Sequence, residues 1–297
     1  MAADRAPRRV VSLIASSTEI VCALGCEGAL VGRSHECDFP RGVESLPALT
    51  RPRLDPRASG RAISDRVQEL VSRGLSIYEL DAALLRELRP DLILTQTLCE
   101  VCAATPADLA SALAAWTGAR PAIVSLAPLS LDDVLGDVAR IGAALGLAAR
   151  AAELGAGLRA RIEALTALGR SAATRPRVAA LEWLDPPIAG GNWMPELIER
   201  AGGSSVFGKA GEHSPRIAWE ELEAAAPDVV VVVPCGLGLA QARAELARTP
   251  RLARFRTAVL DGNQYFNRPG PRIVESLAIL LGVIHPELNP RTGDPAS

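Results

Sequence analysis

Aromatic residues are scarce in this sequence, because four Trp, four Phe and two Tyr make up only 3% of its 297 residues. The net charge is also small, at −2, and the arginine-rich stretch at residues 51–61 contains no aromatic side chain. A nucleic-acid-binding surface would combine a basic patch with interleaved aromatic residues. The composition therefore gives no case for a nucleic-acid partner.

Long apolar runs are missing as well. No stretch approaches the roughly 18 apolar residues of a membrane span, and the apolar segment after Arg9 is already interrupted at Ser12, whereas a secretory signal needs about 7–15 uninterrupted apolar residues. The sequence as given predicts a cytoplasmic protein that is not membrane-embedded; a periplasmic location would require a different start. In a reducing compartment the six cysteines are expected to be thiols, metal ligands or redox groups.

What the sequence does contain is an alternation of strand-like and helix-like segments. The runs "DLILTQ" and "DVVVVVP" are typical of strands buried on both faces, and "AISDRVQELVSRG" and "YELDAALLRELRP" have helical spacing. In "RVVSLIASSTEIVCALG", Ser17 or Thr18 is predicted to cap a helix that ends at Gly25. A weak internal duplication relates "RELRPDLILTQTLC" to "EAAAPDVVVVVPC".

This alternation predicts an α/β protein with parallel sheets. We expect two Rossmann-like lobes, an N-terminal lobe at 1–127 and a C-terminal lobe at 173–297, joined by linking helices at 128–172 that include one long backbone helix. In such sheets ligands bind outside the carboxyl ends of the strands. The sequence therefore predicts a ligand-binding cleft that both lobes line.

Half of the aromatic residues fall on the loops predicted to follow these strands. They are Phe39, Trp183, Trp193, Tyr265 and Phe266. Aromatic side chains on loops favour a large, flat or apolar ligand, because they supply contact area at little entropic cost. The alternative is that they cover the junction between the lobes.

Sulfur and imidazole donors lie on the same predicted loops. "HEC" contains His35 and Cys37, and "CEVC" contains Cys99 and Cys102. One His and three Cys are a ligand set typical of zinc. A redox-active dithiol and two small, half-buried thiols are the alternatives for the Cys-x-x-Cys pair.

Several stretches together resemble a known family. They are "RVVSLIASSTEIVCALG", "GRSHECDFP", "LRPDLILTQTLCEVCA", "EWLDPPIAGGNWMPELIERAGG" and "DGNQYFNRPGPRIVESLAILLG". Over about residues 8–287 the chain resembles the cobalamin-binding proteins related to the vitamin B12 periplasmic binding protein. These are substrate-binding proteins of ABC importers, of the kind that also carry haem and iron–siderophores.

The resemblance implies a class III periplasmic-binding-protein-like fold, a metal chelate bound in the cleft, and an ABC permease as partner. The predicted ligand-binding residues are Ser17, Glu19, His35, Phe39, Glu182, Trp183, Trp193, Tyr265, Phe266 and Arg268. Exported members carry a leader or lipid anchor and generally lack the Cys-x-x-Cys and His-x-Cys pairs. The sequence therefore indicates a leaderless branch of the family.

Two functional hypotheses follow. The first is non-catalytic binding of cobalamin or a related chelate such as haem or an iron–siderophore, with His35 or a thiolate as an axial ligand. The alternative is a metal-dependent or redox protein with a zinc or iron–sulfur centre at His35, Cys37, Cys99 and Cys102 and with Glu19 or Glu182 as acid/base. We favour the first, because no set of residues specifies a reaction.

Overall fold

The computed structural model describes residues 7–73, 75–97, 106–114 and 116–288. The strands are β1 Val10–Ser12, β2 Leu30–Arg33, β3 Thr50–Pro52, β4 Tyr78–Leu80, β5 Leu92–Gln96, β6 Ala122–Leu126, β7 Arg177–Leu184, β8 Pro187–Ala189, β9 Ser204–Ser205, β10 Val229–Val232 and β11 Thr257–Val259. The α-helices are α1 Ala15–Ala23, α2 Gly60–Ser72, α3 Ala82–Leu88, α4 Pro106–Leu113, α5 Leu131–Ala144, α6 Ala148–Arg170, α7 Met194–Arg200, α8 Trp219–Ala225, α9 Leu239–Ala247 and α10 Ile273–Ile284.

The chain divides into two compact units. The first unit comprises Met1–Asp55, Asp65–Pro128 and Asp132–Gly157, and the second comprises Pro56–Ser64, Leu129–Leu131 and Leu158–Ser297. The division therefore falls inside the 23-residue helix α6. The stretch at 128–172, predicted to link the lobes, is shared between the two units.

The sheet of the first unit has the strand order β2-β1-β5-β6, and its strands pair in parallel. Every residue of the continuous apolar strand β5 is buried, as expected for a strand covered on both faces. Val11, Leu13 and Ile93 from this sheet pack against Leu85 of α3 and Leu109 of α4. A separate antiparallel pair, β3–β4, joins Thr50–Pro52 to Tyr78–Leu80.

The sheet of the second unit has the order β11-β10-β7-β8. Strands β10 and β11 run parallel to β7, as does β9, whereas β8 returns antiparallel to the end of β7. Apolar residues of β7 and β10, among them Leu181 and Val230, form its core with Leu222 of α8. Parallel sheets in both units confirm the predicted α/β class.

The two segments predicted to be duplicates share the same helix-to-strand turn within their described residues. Arg89, the residue after α3, has φ 43°, and Ala226, the residue after α8, has φ 42°; each is followed by Pro-Asp and a buried strand. The carboxylate of Asp91 accepts hydrogen bonds from the backbone N–H groups of Arg8 and Arg9 (2.9 and 3.1 Å). In the second unit, Asp228 accepts one from Arg177 (2.7 Å). Each Pro-Asp turn thus fixes the entry to the neighbouring strand.

Two local predictions are wrong. The segment from Tyr78 forms β4 before the helix, and α3 begins only after Asp81, whose carboxylate accepts the N–H groups of Ala83 and Leu84 (3.0 and 2.9 Å). Such a cap outweighs the apparent continuity of the helical pattern. Helix α1 likewise begins at Ala15, so Ser17 and Thr18 lie inside it and do not cap it.

Candidate functional site

Hydroxyl side chains bond to one another where β1 ends in the first unit. The Oγ atoms of Ser12 and Ser17 are 2.6 Å apart, and the Thr18 hydroxyl donates to Ser12 Oγ (2.7 Å) and lies 3.1 Å from the Cys37 sulfur. Ser17 also donates to the carbonyl of Ile14 (2.9 Å). These side chains are fully buried. The hydroxyls of Ser12, Ser17 and Thr18 are therefore satisfied at this strand end, whereas the buried Ser16 Oγ has no hydrogen-bond partner among the described residues.

His35 lies in a second polar network of the first unit. Its Nδ1 is 2.7 Å from the hydroxyl of Thr50, which also accepts the backbone N–H of His35 (3.0 Å). Its Nε2 is 3.3 Å from a carboxylate oxygen of Glu36. The Tyr78 hydroxyl donates to that same oxygen (3.4 Å), and the Tyr78 ring meets the imidazole edge to face at 4.9 Å. Both ring nitrogens of His35 therefore have a polar neighbour, Thr50 at Nδ1 and Glu36 at Nε2.

The predicted metal site is only partly within the described residues. Cys37 is fully buried, and its thiol lies beside Thr18 and the backbone carbonyl of Ser12 (3.9 Å). Cys99 and Cys102 fall outside the described residues, so the four-residue site stays a prediction. In the part of the chain that the structure describes, no three His, Cys, Asp or Glu side chains are placed to hold one metal ion.

Two other predicted contacts of the first unit differ in exposure. Glu19 is buried, with 3% of its surface exposed, whereas Phe39 is 40% exposed. The carboxylate of Glu19 adds to burial and to Glu27 in raising the pKa of Cys22 to about 11. Cys22 therefore remains a protonated thiol at neutral pH, and Phe39 is the exposed one of these two predicted contacts.

Glu182 is the partly buried carboxylate at the end of β7 in the second unit. Ser214 donates a hydrogen bond to it (2.6 Å) and itself accepts the N–H of Gly191 (3.1 Å). Burial raises the pKa of Glu182 to about 7, against the opposing effect of the Ser214 hydrogen bond. This carboxyl can therefore take either protonation state near neutral pH, donating a hydrogen bond in one and only accepting in the other.

The aromatic residues of the second unit that were predicted to contact a ligand fall into two groups. Trp183 is partly exposed and donates its indole N–H to the carbonyl of Asp185 (3.1 Å). Tyr265 is also partly exposed and lies 5.2 Å below the guanidinium of Arg272, a cation–π geometry. Both present ring surface that a planar ligand can cover.

Trp193 and Phe266 form the second group and lie in the interior. Trp193 is 5% and Phe266 1% exposed, and the Trp193 indole donates to the carbonyl of Phe266 (3.1 Å). Arg268 is also buried. These residues pack the second unit, and their contact with a ligand stays a prediction.

Sequence reasoning missed Thr50, Tyr78 and Ser214. Thr50 reaches His35 because Ala48 pairs with Arg33, and Tyr78 reaches it through the antiparallel pairing of β3 with β4; no local pattern signals either pairing. Ser214 reaches Glu182 from a loop 32 residues away. The polar residues of "LTRP" and "EHSP" are visible in the sequence, but nothing there indicates which residues they contact.

Among the described residues, no helix combines the length and the apolar character needed to cross a membrane.

No curated protein sequence matches the chain. Solved structures do match it. The haem-binding protein RhuT from Roseiflexus sp. RS-1 is 25% identical, with a TM-score of 0.70 over 95% of this chain and 99% of RhuT.

A periplasmic haem-binding protein from Pseudomonas aeruginosa is 25% identical, with a TM-score of 0.71 over 94% of this chain and 93% of its own. The vitamin B12 binding protein BtuF of Vibrio cholerae has 17% identity and a TM-score of 0.66 over 94% and 96% of the two chains, and shows the shared fold. The periplasmic binding protein family model matches residues 10–267. The chain therefore belongs to the periplasmic binding protein family, whose members are non-catalytic substrate-binding proteins of ABC transporters.

Proposed function

We propose that this chain binds a planar metal chelate, of the haem or cobalamin kind, without transforming it. The observation that carries the proposal is the 25% identity over 95% of the chain to the haem-binding protein RhuT. The chain covers nearly the whole of that relative, so the likeness extends beyond one motif. Family membership supports an ABC permease as the protein partner.

The partly exposed aromatic rings supply the contact area in this proposal. Trp183 lies near the carboxyl end of β7 in the second unit, and Tyr265 in the second unit and Phe39 in the first follow strands of their sheets, where ligands of α/β proteins bind. Burial of flat apolar surface against such rings is the main favourable term for a ligand of this class. Glu182 offers a carboxyl for the polar edge of the chelate, such as an amide or a carboxylic acid.

The test is parallel titration of the purified protein with haemin and with aquocobalamin, followed by absorption and tryptophan fluorescence. We expect a saturable one-to-one change with one of the two chelates. Trp183→Ala and Phe39→Ala are each expected to weaken binding about tenfold, which is about 1.4 kcal/mol.

Val71→Ala is the matched control for Phe39→Ala, because Val71 is an apolar side chain of similar exposure, 39% against 40%. We expect its affinity to equal that of the unmodified chain. Absence of saturable binding of both chelates would contradict the proposal. Binding that survives both aromatic substitutions would contradict the assigned contacts.

A further inference from the structure

Three metal-binding side chains of different chemistry meet around one carboxylate oxygen in the first unit. His35 Nε2 lies 3.3 Å and the Tyr78 hydroxyl 3.4 Å from Oε1 of Glu36. The side chains of His35 and Glu36 are 23% and 32% exposed, so solvent reaches them. We propose that His35, Glu36 and Tyr78 bind a ferric ion that offers three open coordination positions.

The spacing of the donors suits coordination to one ion. A metal about 2.1 Å from each donor keeps adjacent donors about 3.0 Å apart in an octahedral and about 3.4 Å apart in a tetrahedral arrangement. The two measured separations, 3.3 and 3.4 Å, lie at the upper end of this interval. Small side-chain rotations are therefore enough to place one ion among the three donors.

Thr50 prepares the imidazole for this role. A metal-binding histidine usually has its second ring nitrogen held by a hydrogen bond, which fixes the ring and its tautomer. The Thr50 hydroxyl lies 2.7 Å from Nδ1 and 2.9 Å from the Ser34 hydroxyl. It can accept from Nδ1–H while donating to Ser34, which leaves the lone pair on Nε2. Thr50 is therefore a positioning residue that directs Nε2 toward Glu36.

The donor set favours ferric ion over softer metals. A carboxylate and a phenolate are hard oxygen ligands, and imidazole also suits iron. A phenol ordinarily ionises near pH 10, so its coordination at neutral pH requires a strongly polarising cation. On binding, the Tyr78 O–H bond breaks, its electron pair is donated to the ion, and the proton leaves to solvent.

Haem iron does not fit this site as well as an open ferric complex. The porphyrin occupies the four equatorial positions and leaves axial positions to the protein, whereas here His35 Nε2 and the Tyr78 hydroxyl both lie beside the same carboxylate oxygen of Glu36. Water or small anions complete the shell in our proposal. The inference uses the first unit alone and does not depend on the proposed chelate binding.

The experiment is titration with ferric nitrilotriacetate, observed through the visible charge-transfer absorption of a ferric phenolate. We expect one equivalent to produce the band and Tyr78→Phe to abolish it. Glu36→Gln and Thr50→Val are expected to weaken binding 10–100-fold, and Thr50→Ser, which keeps the hydroxyl, should retain the affinity. Circular dichroism and thermal unfolding check that each variant is folded.

His213→Ala is the matched control for His35→Ala, because His213 is an exposed histidine of the second unit, and we expect it to keep the band. Three results would overturn the proposal: absence of the band in the unmodified chain, a band that persists in Tyr78→Phe, or a band that depends on Tyr265, the chain's other tyrosine. Binding of Zn²⁺ by these residues without ferric ion would overturn the choice of metal. A haemin titration of Tyr78→Phe shows separately whether chelate binding survives.

Discussion

The two units can be compared most directly at the carboxyl ends of β1 and β7. Both strands precede a helix, and predicted ligand residues lie at or just after the end of each. In the first unit β1 passes almost directly into α1, and its serine and threonine side chains bond to one another. In the second unit the chain makes the extra strand β8 before α7, and the Glu182 carboxyl bonds to a distant loop. The short connection joins most of its hydroxyls to one another, whereas the longer one recruits Ser214 from 32 residues away.

The comparison also separates the chemistry of the units. The first has hydroxyls, an imidazole and a phenol held by mutual hydrogen bonds. The second has partly exposed rings and a carboxyl whose pKa is raised to about 7. Both units are therefore expected to respond to pH, because burial also raises the pKa of Asp137 in the first unit to about 6.

The largest expected effect is the pH dependence caused by Glu182. Its pKa rises from 4.5 in a freely hydrated carboxyl to about 7 in the fold, so between these values the folded chain holds a proton that the unfolded chain has lost. The free energy of unfolding should therefore fall by about 3 kcal/mol as pH rises from about 4.5 to about 7. Urea unfolding from pH 5 to pH 8 measures it.

Glu182→Gln should remove this component, so the variant gains stability relative to the unmodified chain as pH rises. Glu212→Gln, an exposed change in the same region, is the control for loss of a surface carboxylate. Equal pH profiles for Glu182→Gln and the unmodified chain would show that burial does not act on this carboxyl.

A smaller effect distinguishes two glycines of α6, Gly155 and Gly169. A Cβ atom on Gly169 would lie 2.6 Å from the carbonyl oxygen of Arg200 and 2.8 Å from the carbonyl carbon of Ala201, whereas one on Gly155 meets nothing within 4 Å. Gly169→Ala should lower the free energy of unfolding by about 2 kcal/mol through overpacking. Gly155→Ala should raise it by about 0.8 kcal/mol through helix propensity. Thermal or urea unfolding of both variants compares them, and equal shifts would refute close packing at Gly169.

The smallest effect tests the duplicated Pro-Asp turns. Asp91→Ala removes two hydrogen bonds to backbone N–H groups and Asp228→Ala removes one. We expect losses of about 2 and about 1 kcal/mol, because hydrogen bonds to a charged acceptor are stronger than neutral ones but solvent competes here. Urea unfolding of the two variants shows which loses more free energy of unfolding. A greater loss for Asp228→Ala would contradict the equivalence of the turns.

Sequence periodicity predicted the elements whose pattern of apolar residues is continuous or extends over several turns. The strand Leu92–Gln96 and the helix Ala148–Arg170 are long or continuous enough for pattern alone to identify. Tyr78 was misassigned because its strand is short and its partner, Thr50–Pro52, is remote in sequence. Burial of Trp193 against Phe266 also depends on tertiary packing, so the sequence placed both on loops without revealing which rings remain exposed.

Strands β3 and β4, which carry Thr50 and Tyr78 of the candidate ferric site, lie side by side although residues 53–77 separate them in sequence. The stretch at 53–77 starts and finishes at adjacent points, where the N–H of Arg53 donates to the carbonyl of Ile77 (2.7 Å). Because closing a longer loop costs little additional entropy, related chains can lengthen or shorten this stretch while Thr50 and Tyr78 stay in register. Variation in length there is therefore compatible with unchanged metal affinity.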